Sequence, residues 1–133
     1  MTLHVELLMP DRSLWSGEAG LVIAKTMDGD IGVQTGHSPV FGILSPGSLV
    51  RIREVPGNDN PGDVVRAAVR DGFLSVNNNR VSILASVAQL ATDVDTATAR
   101  DELQAAATEA GGTEESPEYR YARAKLLAAG EQA

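Results

Sequence analysis

The hydrophobic periodicity of this chain changes once, near residue 90, and that change constrains the fold more than any other feature. Up to Leu90 apolar residues recur mostly at every second position, and beyond it at every third or fourth. A chain written this way predicts a β head followed by a helical tail. Leu3, Val5, Leu7 and Met9 alternate with Thr2, His4 and Glu6 and mark a half-buried strand that Pro10-Asp11-Arg12 turns. Leu21-Val22-Ile23-Ala24 is a nearly continuous apolar run ending at Asp28-Gly29, the pattern of a strand covered on both sides. Val40 to Leu44 is a further strand, closed by Ser45-Pro46-Gly47. Val50 and Ile52 then face one way and Arg51 and Arg53 the other.

Residues Pro56 to Gly62 contain only turn formers and predict a mobile hairpin loop. Val64 to Val69, Gly72 to Val76 and Val81 to Ala85 read as three more strands. Asn77-Asn78-Asn79 joins the last two, because Asn tolerates the positive φ that a tight hairpin needs. Asp63 and Asp71 flank a strand and read as turn residues. Short strands with turn signals every eight to twelve residues mean a sandwich or barrel, here over residues 1–90.

Residues 91–133 read as two helices. Val94, Ala97, Leu103, Ala106 and Ala110 sit at helical spacing behind an N-cap at Thr92 or Asp93, and Gly111-Gly112 ends the helix. Ser116 as N-cap, Pro117 at the first helical position and Glu118 in the first turn open the second. Tyr119, Ala122, Leu126 and Ala129 form its apolar stripe, and Gly130 suits the position just past its end. The expected arrangement is an antiparallel hairpin. Its stripes are thin and rich in alanine, so the tail should be the loosest part of the protein.

Composition narrows the function by exclusion. The 133 residues are 43% apolar but only 4% aromatic, so the core must be aliphatic. No apolar run approaches the length of a membrane span, and the alternating N-terminus lacks the features of a signal peptide. A net charge of −7 argues against a nucleic-acid partner. The absence of cysteine excludes thiol catalysis and thiolate metal sites. Two isolated histidines, His4 and His37, supply no metal cluster, no phosphate-binding loop of the Gly-x-x-x-x-Gly-Lys type is present, and no nucleophile–base pair stands out. The reading is a non-catalytic protein gripped by others. One constellation remains, Asp28-Gly29-Asp30-Ile31-Gly32-Val33 followed by Gly36-His37-Ser38-Pro39, with His37 at a loop tip.

These residues carry a resemblance. Leu14-Trp15-Ser16-Gly17, then Gly29-Asp30-Ile31-Gly32-Val33 with Gly36-His37-Ser38-Pro39, then Asp71-Gly72-Phe73-Leu74-Ser75-Val76 resemble the epsilon subunits of bacterial F-type ATP synthases in order and spacing. The resemblance implies a mainly β fold, a ten-stranded β-sandwich followed by a two-helix hairpin. It implies a non-catalytic central-stalk subunit that binds the gamma subunit and rests on the polar loops of the membrane c-ring. It would lie peripherally on the cytoplasmic side of the cell membrane without inserting into it. Asp30 and His37, with Ser38 and Pro39, match the family's rotor contact and are expected together on one charged loop.

In some members the helical tail binds ATP, and in some it extends into the alpha/beta hexamer and blocks hydrolysis. The family's nucleotide motif is matched at Val94-Asp95 and Ala99, but Thr98 stands where the motif has arginine, and Arg100 lies about 200° round the helix from there. No cofactor is therefore expected. Asp95, Arg100, Arg120 and Arg123 are the residues that would serve if ATP were bound weakly. An ATP-sensing regulatory module and a generic β-sandwich adaptor are the alternative readings.

Overall fold

The computed structural model describes residues 2–109 and 117–130. The strands are β1 (Leu3–Met9), β2 (Arg12–Ala19), β3 (Leu21–Thr26), β4 (Gly29–Val33), β5 (Val40–Ile43), β6 (Ser48–Arg53), β7 (Val65–Asn77) and β8 (Arg80–Leu90). A single 3-10 turn at Ala91–Asp93 leads to α1 (Thr96–Glu109) and α2 (Pro117–Ala128). The strands pair in the order β2-β1-β8-β7-β6-β3-β4, with β5 also on β7. All pairings are antiparallel except β1 with β8, which is parallel. The expected mainly β head and two-helix tail are present, with eight strands instead of ten.

The difference in count has a physical cause in β7. Val64 to Val69 was expected as one strand and Gly72 to Val76 as the next, but from Val65 onward both belong to β7, which bends at a bulge around Asp71. The first half pairs with β6 and the second with β5, so one strand serves both layers of the sandwich. The bulge changes which side chains point inward: Ala67 and Val69 before it, Leu74 and Val76 after it. The same shift appears opposite, from Val81, Ile83 and Ala85 to Ala88. Dividing each long strand at the bend would restore ten. At the bend a Cβ on Gly72 would lie 2.2 Å from the carbonyl oxygen of Leu84, so only glycine permits the approach. Asp71 accepts a hydrogen bond from the Ser86 hydroxyl across the bulge. Asp63 is no simple turn residue either, since it accepts from Arg53 Nε at 2.7 Å.

The core between the layers is aliphatic, as the composition requires. Leu3, Val5 and Leu7 of β1, Val22 of β3, Val50 and Ile52 of β6, Leu74 of β7 and Ile83 of β8 are fully buried. In β3 the burial alternates, with Val22, Ala24 and Thr26 inside and Leu21, Ile23 and Lys25 outside. That strand is therefore not covered equally on both faces.

The tail docks on the outer face of β6 and β7. Ala124 and Ala128 of α2 pack on Ala68, with Leu49, Ala91 and Tyr121 around them. Gly47, at φ +63°, is the closest approach, where a Cβ would lie 2.3 Å from Cβ of Arg120 and 2.6 Å from the amide nitrogen of Tyr121. Arg70 Nη2 reaches Glu118 Oε1 at 3.0 Å. On another flank Ala122 and Leu126 are buried, and Lys125 Nζ, 4.8 Å from the centroid of the Tyr121 ring, meets Glu102 of α1 at 2.7 Å. Ala91, just before α1, lies with Ala128 at the end of α2, so the two helices run antiparallel. Gly130, at φ +87°, follows α2 as expected. Gly111-Gly112 and Ser116 lie outside the described residues. At about 0.8 kcal/mol per buried methyl-sized group, the three alanines contribute only about 2 kcal/mol to holding the tail. Gly47→Ala should therefore lift α2 off the head and leave the sandwich folded. Hydrogen exchange should show lost protection in α2 with protection of β1 and β8 unchanged, and a global loss would contradict this account.

Candidate functional site

Both of the chain's phenylalanines are on its surface. Phe41 is 67% exposed and stacks on Phe73 with ring centroids 5.6 Å apart. Strand register explains how they meet. Ile43 of β5 lies opposite Phe73 of β7, Phe73 opposite Leu84 of β8, and Leu84 opposite Leu8 of β1. Facing residues of an antiparallel or parallel pair project from the same side. Four apolar side chains thus stand in one row across four strands, on the outer side of the layer. Phe41 stands beside this row, two residues along β5. Val87 and Met27 are also exposed, and the Met27 amide donates to the Ile43 carbonyl at 2.9 Å. A shallow depression of about 520 Å³ runs between Leu8, Met9 and Pro10 on one side and Ile43 and Phe73 on the other. Contiguous apolar surface of this kind is the usual mark of a partner-binding face.

The sequence gives this face away only in hindsight. Val40-Phe41-Gly42-Ile43-Leu44 is apolar at nearly every position, which reads as burial on both sides. The signal that could have found it is aromatic scarcity: with so few aromatic residues, two phenylalanines on neighbouring strands form a feature in themselves.

The residues expected at the rotor contact separate into two places. Asp30 lies within β4, not on a loop, opposite Lys25 of β3. His37 closes the turn after β4, its amide donating to the Gln34 carbonyl at 3.1 Å and its Nδ1 2.7 Å from the Ser38 carbonyl oxygen. The turn is pinned by the Gly36 amide, which donates to Asn79 Oδ1 at 2.7 Å, and by Gly36 at φ +83°. Ser38 and Pro39 are exposed beside it. At about 3.3 Å per residue, Asp30 lies some 13 Å along the strand from Gln34. The two ends therefore face different surroundings: Asp30 the side of α2, and His37 the β7–β8 hairpin.

The tail residues separate as well. Asp95, and not Thr92 or Asp93, caps α1: its Oδ1 accepts from the amides of Ala97 at 3.1 Å and Thr98 at 3.3 Å. Thr92 and Asp93 fall in the preceding 3-10 turn. The hydrogen bonds from Thr98 are the main reason the Asp95 carboxyl titrates below its ordinary value. Arg100 is exposed on α1. Arg120 in the first turn and Arg123 in the middle of α2 lie about 12 Å and about 8 Å along the helix from Ala128, beside which Ala91, just before α1, lies. Asp95 and Arg100 do not line the groove that holds Arg120 and Arg123. Arg120 and Arg123 instead share a groove with Asp30.

Burial raises the Tyr121 hydroxyl above its ordinary range, with Glu102 adding to the effect and Arg70 opposing it. Among the described residues there is no cluster of acidic or histidine side chains placed to hold a metal. No described helix is long and apolar enough to cross a membrane.

Residues 2–91 match the family of the ATP synthase delta/epsilon chain, beta-sandwich domain. The chain belongs to that family. An ATP synthase epsilon chain of Thermobifida fusca is 49% identical over 129 residues, covering 96% of this chain and 91% of the relative. One from Streptomyces avermitilis is 47% identical over 113 residues, covering 85% and 86%. A chain in the Euglena gracilis mitochondrial ATP synthase structure of OSCP, F1 and c-ring shares the fold with a TM-score of 0.68 at 19% identity, over 94% of this chain and 75% of that one. Another, in the central stalk and c-ring structure of the Tetrahymena thermophila enzyme, aligns with a TM-score of 0.55 at 16% identity, over 84% and 92%. The chain is thus a non-catalytic epsilon-type subunit of an F-type ATP synthase.

The capping role of Asp95 has a defined pH dependence. Because its folded-state pKa lies below the ordinary 3.8, the cap stabilises α1 above that pH and is lost as pH falls through the lowered value. Asp95→Ala should speed amide exchange at Ala97 and Thr98 at neutral pH. Asp95→Asn should keep most of the protection and remove its acid dependence. Unchanged exchange in the alanine variant would refute the capping assignment.

Proposed function

We propose that this chain is the central-stalk epsilon subunit that joins the gamma subunit to the c-ring on the cytoplasmic side of the membrane, and that the Phe41–Phe73 face is its seat on gamma. The apolar row from Ile43 to Leu8 carries this reading. It is rigid, since it lies on four hydrogen-bonded strands, and its central aromatic pair has the character of an interface anchor. A subunit that transmits torque needs such a face more than it needs a mobile one.

The turn at His37, Ser38 and Pro39 is the natural contact with the c-ring. It is held by Asn79 from another strand pair, so it presents its side chains in one orientation. Asp30, exposed on β4, is a second charged contact on a different part of the surface. The tail, docked mainly through alanines and one glycine approach, is suited to leave the head and reach the alpha/beta hexamer. Regulation of hydrolysis would follow from that movement. Thr98 stands at the motif's arginine position and α1 does not line the groove of Arg120 and Arg123, so an ATP site built on the first helix is not favoured.

Phe73→Glu should weaken binding to purified gamma at least about 30-fold, the loss of about 2 kcal/mol typical of an interface anchor. Its melting temperature should stay within a few degrees of wild type, because the side chain lies outside the core. Size-exclusion co-elution and calorimetry measure the two effects, and undiminished gamma binding by a folded variant would remove the assignment. Asp30→Arg should leave stability unchanged within about 0.5 kcal/mol and lower coupled proton pumping in the reconstituted complex. Normal coupling would take Asp30 out of the rotor contact.

A further inference from the structure

The apolar face around Phe41 and Phe73 is interrupted at one place. Asp71 stands at the bulge of β7, opposite Val87 of β8 and two residues before Phe73. It lines the same depression of about 520 Å³ as Leu8, Ile43, Phe73 and Leu84. Among the described residues it is the sole charged one there, and Ser86 is its polar neighbour. Charged residues are depleted from the centres of protein interfaces, so a carboxylate in this position needs a reason.

The chain itself supplies only part of one. The Ser86 hydroxyl donates to Asp71 Oδ1 across the bulge. That bond ties β7 to β8 where their register shifts, yet asparagine or serine at residue 71 would accept it as well. The bond leaves the negative charge without a use. Among the described residues no lysine, arginine or histidine lies within ion-pair distance of Asp71. Arg70, its neighbour in sequence, pairs instead with Glu118 of α2.

Docking makes this charge decisive. Asp71 is exposed, so in the free subunit water serves the rest of its carboxylate. A partner that covers Phe73 and Leu84 also covers Asp71 and removes that water. An ionised carboxylate has about four acceptor sites, and Ser86 fills one of them. Left dry and unpaired, such a group strongly opposes association. The aromatic pair is therefore buried at low cost only by a partner that brings a positive charge to this point.

We propose that Asp71 receives a basic side chain of gamma, whose aliphatic stem lies on Phe73 and Leu84. This rests on the reading of the face as the seat on gamma, and adds the chemistry of the residue that gamma must place there. Asp71 and Phe73 stand some 6 Å apart along the strand, a span that a lysine or arginine stem covers. Such side chains bury their methylenes on apolar surface and carry the charge at the tip. The apolar row gives area without direction. The carboxylate fixes how gamma lies on it and rejects a surface that brings an acid to the same place.

The test measures binding of the full-length chain to purified gamma by calorimetry and by association and dissociation kinetics. Asp71→Asn keeps an acceptor for Ser86 and removes the charge. It should weaken binding at least about 10-fold, chiefly through faster dissociation. Asp71→Ser, a second neutral variant, should repeat the loss. Ser86→Ala removes the hydrogen bond and keeps the charge, and should bind within a few-fold of wild type. Melting curves establish that each variant is folded. If Ser86→Ala reproduces the loss, Asp71 acts only through the bulge and the proposal is overturned. It is also overturned if both neutral variants bind gamma as tightly as wild type while Phe73→Glu does not, an outcome that keeps the seat and removes the cation. Undiminished binding by Phe73→Glu as well would remove the seat itself.

Discussion

The bend in the β7–β8 hairpin is the constraint on which the rest of the molecule depends. One strand has to serve two layers, and it does so because Gly72 lets its backbone pass within contact of the Leu84 carbonyl. Before the bend β7 belongs with β6, and after it with β5. The two outer faces of the sandwich inherit different characters from this division. One half presents Phe73 among apolar neighbours, and the other presents Arg66, Ala68 and Arg70 to the tail. A side chain at residue 72 would strain the bend between the layers, and the alignment of both faces would move with it.

The two faces then separate two physical problems. A partner that must not slip requires desolvated apolar area on a rigid platform, and the row from Ile43 to Leu8 lies on four paired strands. A tail that must be able to leave requires the opposite. Alanine on alanine buries little surface, and the backbone approach at Gly47 gives close fit without large side chains to extract. The ion pairs on the tail, Arg70 with Glu118 and Lys125 with Glu102, are mostly exposed on at least one partner and fix orientation more than they add stability.

The architecture was legible in the sequence because periodicity records which face is buried. The change near Leu90, the loop of turn formers from Pro56 and the Asn-rich hairpin all report on local backbone, and local signals survive translation into structure. What was not legible depended on long-range register. Asp71-Gly72 reads as a turn because both residues favour turns, yet here they form a bulge inside one strand. The N-cap fell at Asp95 because a short 3-10 turn, with no periodicity of its own, intervenes after β8. The partner face escaped because alternation cannot distinguish an apolar residue that meets the core from one that meets another protein. The groove that Asp30 shares with Arg120 and Arg123 is lined by residues some ninety positions apart, and no spacing rule connects them.

The charges in that groove bear on how a weakly held tail keeps its place. The alanine contacts alone leave α2 close to the balance point between ordering entropy and burial. A few positive charges brought together in the groove push the balance further towards release, since their repulsion falls when α2 departs. The thin apolar stripe and the excess of arginine are thus two parts of one arrangement, in which poor packing makes electrostatics decisive.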